Sequence, residues 1–228
     1  MIKKLPRRCA LALALVPLAA GTPSQAAPAP QGPRPAVVTT LADAVGLVKV
    51  VGENRTGYTP SAFEHWTSGE FPSDGCDTRN EVLLAEAVDA PVVGAGCTLT
   101  GGTWVSYYDG QRVTGSGSLD VAHTVPLAES WGSGASAWTA ARRAAYANDQ
   151  GAAASLSAVT ARTNLQRADR GPADWLPPVP EAHCRYVGEW VATKLRWQLT
   201  ADDTEMEALK VLAEGPCEDT VVQYTTAP

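Results

Sequence analysis

Leu119-Asp120-Val121-Ala122-His123-Thr124-Val125-Pro126-Leu127 is the stretch on which the reading of this chain turns. Apolar and β-branched residues run through Val125 and Pro126 ends the run, so Leu119 to Val125 reads as a strand that presents His123. Leu156 to Thr160 reads as a second strand, and Asn164 follows it where a helix opens. Two strands and a helix in this order can hold an imidazole, an amide oxygen and a carboxylate around one divalent ion. The imidazole would take a proton from an attacking water, and the ion would stabilise charge on a phosphate.

Working outward, Thr40 caps a helix running to about Val50, with Leu41, Val45 and Val48 on one face. Tyr58 to Trp66 reads as a turn and a short helix. Asp77 or Thr78 caps a helix over Val82 to Ala87, and Glu81 is placed to close a capping box. Thr98 to Thr100 and Thr103 to Tyr108 flank Gly101-Gly102 and predict a β-hairpin. Further helices are predicted over Ser136 to Asn148, near Pro172 to Trp175, and over Ala182 to Leu199, the last strongly amphipathic. A final helix is capped by Thr200 or Asp202 and runs to about Leu212. Trp138, Trp175, Trp190 and Trp197 are the expected packers. The fold class is α+β: a ββα core in one mostly helical domain, 37–220, with a β-hairpin.

Residues 1–26 have the grammar of a secretory signal: Lys3, Lys4, Arg7 and Arg8, an apolar run from Cys9 to Ala20, and Ser24-Gln25-Ala26 for cleavage. The apolar run is too short to span a bilayer, so the expectation is an extracellular protein with no membrane attachment after cleavage. Residues 27–36 are rich in Pro and Ala and read as a linker; 221–228 reads as a loosely held tail. The segment 27–228 carries 14 Lys+Arg against 24 Asp+Glu, a net charge of −10. That argues against tight, strongly salt-dependent binding to nucleic acid, although a cation and a few local Arg can still hold one phosphate. Beyond Cys9 there are four cysteines, Cys76, Cys97, Cys184 and Cys217. In an exported chain they read as two disulfides. Of the three connectivities, Cys76–Cys97 with Cys184–Cys217 joins segments near in sequence. The rival is a zinc site, but no spacing is of the short Cys-x-x-Cys kind.

From about Tyr58 to Cys217 the chain resembles the secreted bacterial HNH endonucleases related to the Asp-His-x-Val-Pro nucleases, a ββα-metal family. The matching stretches are Cys76 to Leu83, His123 to Glu129, Ser133 to Ala135, Ala147 to Asp149, Asn164 to Asp169, and Gly171 to Pro178. The resemblance implies a metal-dependent phosphodiesterase with His123 as general base and Asn164 as metal ligand. It implies that Arg79 grips phosphate or steadies the site from beside the strand. Arg167 and Arg170 are expected to contact the substrate. Mg²⁺ or Mn²⁺ is the implied ion, and nucleic acid, DNA before RNA, the implied partner.

Two departures stand out. The family has Asp immediately before the histidine, where this chain has Ala122. The family's Asn-x-x-Lys-Gly-Asp reads Asn164-Leu165-Gln166-Arg167-Ala168-Asp169. A methyl group cannot coordinate a hard cation. Asp120 is the candidate substitute: it faces the same side of the strand as Ala122, but about 6.6 Å away along it. Glu129 is another oxygen donor nearby in sequence. His65 and His183 read as structural or surface residues. Arg142, Arg143, Arg167 and Arg170 form either a local basic patch or, for the first two, the solvated side of a helix. The readings are therefore an exported endonuclease impaired at its metal position, an inactive scaffold that binds nucleic acid or a protein partner, or an exported structural or adhesive module.

Overall fold

A computed structural model describes residues 34–228. The expected signal and residues 27–33 of the expected linker lie outside the described residues. The body is α+β with two disulfides, Cys76–Cys97 and Cys184–Cys217, the connectivity that joins neighbours in sequence.

Strand β1 (Val37–Thr40) leads into α1 (Leu41–Leu47), where the Thr40 hydroxyl accepts from the Asp43 amide. Leu41, Ala44 and Val45 point into the core. A single 3-10 turn at Pro60–Ala62 is the only helical structure between Tyr58 and Trp66. Helix α2 (Thr78–Ala85) is capped by Asp77, which accepts from the Asn80 amide. Glu81 does not complete a capping box. Its carboxylate reaches back to the amides of Glu70 (2.6 Å) and Phe71 (2.9 Å), tying down the loop before the helix.

The Gly101-Gly102 hairpin does not form as the sequence suggests. Strand β2 (Val92–Val93) pairs with β3 (Leu99–Thr100), and β4 (Thr103–Val105) pairs instead with β5 (Arg112–Thr114). Thr103 is already occupied: it exchanges backbone hydrogen bonds with Asp89, at 2.9 and 3.2 Å. Both glycines have positive φ, 70° and 76°, and turn the chain between two different ladders.

Strand β6 (Leu119–His123) is followed by α3 (Leu127–Gly132) and α4 (Ala140–Ala147), then by β7 (Leu156–Thr160) and directly by α5 (Ala161–Arg167). β6 and β7 are antiparallel, with Leu119 opposite Thr160, Ala122 opposite Ser157 and His123 opposite Leu156. Residues 172–175 form a turn rather than a helix. The chain closes with α6 (His183–Trp197), α7 (Asp203–Ala213, capped by Asp202) and β8 (Val221–Tyr224).

The C-terminal segment is not a loose tail. β8 pairs antiparallel with β1 over Val37↔Tyr224 to Thr40↔Val221, and Val222 and Ala227 are buried. Arg34, at the end of the expected linker, donates to the carbonyl of Thr226 (3.1 Å). One apolar core joins α1, α6 and α7 with the inner faces of β6 and β7, and Trp190 and Trp197 are buried within it. Trp138 and Trp175 pack against its edge, while Trp104 is buried in a second cluster with Val82, Leu83 and Leu119.

Beside the core lies an ionic cluster. The three N–H donors of Lys194, fully buried, have four acceptors within reach: Glu129 (3.0 Å), Ser133 (3.1 Å), the Thr200 carbonyl (2.6 Å) and Glu205 (2.6 Å). Burial raises the Glu205 carboxyl to about 7 despite the Lys194 ammonium. Burial acts to raise Glu129 too, but there Lys194, Ser133 and Arg55 outweigh it and the carboxyl is lowered. A carboxylate committed to this cluster is not a donor for the ββα site.

Candidate active site

The β6–β7–α5 unit brings His123 and Asn164 onto the wall of one cavity of about 190 Å³, with Tyr58, Ala122, Pro126, Leu127 and Asp169. Asp120, half-buried, accepts a hydrogen bond from Asn164 Nδ2 at 3.2 Å. The strand and helix thus bring His123 and Asn164 to one cavity wall, and Asp120 meets Asn164 without lining that cavity.

His123 is held on several sides. Its Nε2 lies 2.9 Å from the Ala147 carbonyl oxygen. A carbonyl only accepts, so Nε2 carries the proton, and in the neutral ring Nδ1 keeps its lone pair. Nδ1 has no hydrogen-bond partner among the described residues. The ring stacks on Trp66 (centroids 5.3 Å, 11° between planes) and lies nearly parallel to Tyr146 (6.3 Å, 18°). Burial pushes its pKa down to about 4; the Ala147 hydrogen bond raises it in part, and His65 and Arg167 lower it further. At neutral pH the ring is uncharged and presents an unprotonated nitrogen, less basic than that of a free imidazole.

Arg167, expected to contact the substrate, borders the cavity but turns its guanidinium to the protein itself. It is buried, its Nη1 donating to the Tyr108 hydroxyl (2.7 Å) and its Nη2 to the carbonyls of His123 (2.9 Å) and Thr124 (2.8 Å). The guanidinium also sits over the rings of Tyr108, Trp175 and Tyr186. It makes no ion pair among the described residues; carbonyls and ring faces stabilise it. Its task is to anchor the end of β6 that carries His123. Only Trp175 of the three rings is near it in sequence, so nothing local announces a buried guanidinium.

Arg79 donates to the Leu119 carbonyl at 2.8 Å and so steadies β6 at its other end, the second of its two expected roles. Arg170 is exposed; its Nε donates to the Arg167 carbonyl (3.1 Å) and its Nη2 to that of Gln166, closing the end of α5. The four arginines do not form a shared basic patch: Arg142 lies over Trp138 and Trp197, and Arg143 donates to the carbonyls of Ala62 and Trp138. Ala168 has φ +53°, the half of conformational space that favours glycine. This is the position where the resembling family carries Gly. Asp149, beside Ala147, is buried and receives Arg196 at both oxygens (2.7 Å each), Trp197 and Ser155. His183 donates from Nε2 to the Pro177 carbonyl (2.9 Å) and does not line this cavity.

For a divalent ion, the cavity wall carries the Asn164 amide oxygen and the Asp169 carboxylate; Asp120 meets Asn164 but does not line the cavity. Ala122 contributes a methyl group. No cluster of three or more His, Cys, Asp or Glu suited to a metal occurs among the described residues. Oxygen donors of this kind suit Mg²⁺ or Mn²⁺, which retain water and take few protein ligands, better than zinc.

No family model matches the chain. No solved structure matches it either. It is 35% identical over 184 residues to an uncharacterized secreted protein of Arthroderma benhamiae, spanning 80% of this chain and 88% of that protein. No helix among the described residues is long and apolar enough to cross a membrane. The chain belongs to the family of that secreted protein, and it is itself secreted.

Proposed function

We propose that this protein is a secreted HNH-type phosphodiesterase acting on nucleic acid, weakened at its metal position. One observation carries the proposal: His123 is fixed through Nε2 with Nδ1 free, on the wall of a cavity shared with Asn164. A neutral imidazole held in one tautomer is what removal of a proton from an attacking water needs. Trp66 and Tyr146 fix the plane of the ring, and Arg167 and Arg79 fix the two ends of the strand that presents it. Asp120 and Asn164 would hold Mg²⁺ or Mn²⁺, which when bound supplies charge stabilisation at the phosphate. Arg170, exposed next to Asp169 in sequence, would meet the substrate backbone. With a net charge of −10 on residues 27–228, affinity rests on these local contacts.

A second reading, an inactive scaffold that binds nucleic acid or a protein partner, draws on the Ala122 methyl group where the resembling family has a carboxylate. The test is plasmid nicking in Mg²⁺ or Mn²⁺ by the parent and by Ala122→Asp. The proposal expects the variant to nick at least about 100-fold faster, the scale of one electrostatic contact to a transition state. If neither folded protein nicks, the scaffold reading replaces it. Equal rates would show that position 122 is not a metal position.

A further inference from the structure

His65 reads from the sequence as a structural or surface residue, yet the fold sets its ring 6.1 Å from that of His123, at 85°. It is exposed, and its Nδ1 lies 2.7 Å from the Phe63 carbonyl oxygen. Nδ1 therefore carries a proton, and Nε2 is the nitrogen free to exchange one.

This placement is built, not incidental. Asn148 accepts from the Thr67 amide (3.0 Å) and donates to the Glu64 carbonyl (2.8 Å), gripping the chain on both sides of His65 and Trp66. The residue before it, Ala147, supplies the carbonyl that orients His123. One helix end thus positions both imidazoles, and Trp66 fills the space beside them by stacking on His123.

We infer that His65 and His123 form an acid–base pair that cleaves RNA without a metal ion. The inference takes from the preceding section only that His123 is a general base. RNA is the favoured substrate because its 2′-hydroxyl is an internal nucleophile already beside the phosphorus. It needs no activated water, and so makes little demand on a metal position that has lost its carboxylate. His123 Nδ1 accepts the proton of the 2′-hydroxyl as the 2′-oxygen bonds to phosphorus. The P–O5′ bond breaks, and protonated His65 gives the Nε2 proton to the departing 5′-oxygen. The products are a 2′,3′-cyclic phosphate and a 5′-hydroxyl; His123 returns its proton to solvent and His65 regains one. The pair requires one phosphodiester to meet His123 Nδ1 and His65 Nε2 together, across ring centres 6.1 Å apart.

The test is cleavage of polyuridylate in excess EDTA by the parent, His65→Ala and His123→Ala. The parent should release 2′,3′-cyclic ends, and His65→Ala should be slower by about 10²–10⁴-fold, the usual worth of a positioned acid. On uridine 3′-(4-nitrophenyl phosphate), whose leaving group needs no proton, His65→Ala should approach the parent while His123→Ala stays impaired on both. The inference is overturned if the folded parent leaves RNA intact in EDTA, if the ends are 3′-hydroxyls, or if His65→Ala is equally impaired on both substrates. If Ala122→Asp still nicks plasmid with Mn²⁺ in that event, the preceding reading stands without this one. RNA cleavage in EDTA with no nicking by Ala122→Asp gives the reverse.

Discussion

Replacing Arg167 with Met separates an anchor from a phosphate contact. Met keeps most of the volume but leaves the Tyr108 hydroxyl and the carbonyls of His123 and Thr124 without their charged donor. Each such bond contributes about 1.5–3 kcal/mol. Against this, the variant no longer buries a guanidinium whose Nε is itself unpaired among the described residues. The net loss should be about 3–5 kcal/mol, the range seen when one member of a buried charged network is removed. Total stability of a domain is about 5–15 kcal/mol, so the variant should remain folded in the cold. Its melting point should fall by about 10 °C or more, at about 2–4 °C per kcal/mol for a body of this size. Urea titration would read the free energy, and anisotropy of a labelled oligonucleotide at 10 °C would read binding by the folded protein. A stability change under about 1 kcal/mol, with weaker binding and a salt slope reduced by about one, would refute the anchoring role.

Lys194→Met should strand Glu129 and Glu205 and cost about 3–5 kcal/mol in urea unfolding; a smaller effect would mean the cluster is more hydrated than its burial indicates. Burial pushes the Glu86 carboxyl from 4.5 to about 7, against the Ala158 amide and Arg185 and with the help of Glu189. The native state therefore keeps a proton that the unfolded chain loses, and this group's contribution falls as pH rises from about 4.5 to 7. Glu86 is itself exposed, so solvent screens the effect: Glu86→Gln should gain on the parent by about 1 kcal/mol between pH 5 and pH 8, measured as the difference of two urea series. His123 acts in the opposite sense, since its lowered pKa of about 4 adds stability as pH rises from 4 to 6.5, so only the difference isolates Glu86. Ala168→Gly should stabilise by about 1 kcal/mol by relieving the positive φ, net of the entropy that glycine adds to the unfolded chain; destabilisation would contradict the strain.

What could be read from the sequence was what neighbouring residues determine. Thr40, Asp77 and Asp202 cap the helices they precede because a cap needs only the next three residues. The β6–β7–α5 order was legible from apolar runs and the asparagine that follows them, and the disulfides from spacing in an exported chain. What escaped was set by distant partners. The β1–β8 ladder joins the two ends of the body, so nothing near Val221 announces its pairing. Thr103 was claimed by Asp89 and not by the strand before the glycines. His65 and Arg167 illustrate the same limit at the site. One looked superficial, the other looked like a surface charge, and each acquires its place from contacts made forty or more residues away.

The central claim is that His123 is a general base whose site needs a carboxylate at position 122 for efficient metal-dependent cleavage. The most direct measurement compares plasmid nicking by Ala122→Asp with nicking by Ala122→Asp/His123→Ala in Mn²⁺. The account predicts that the single variant nicks and that the double variant, folded and equally pure, loses at least about 100-fold of that rate. Equal nicking by the two would contradict it.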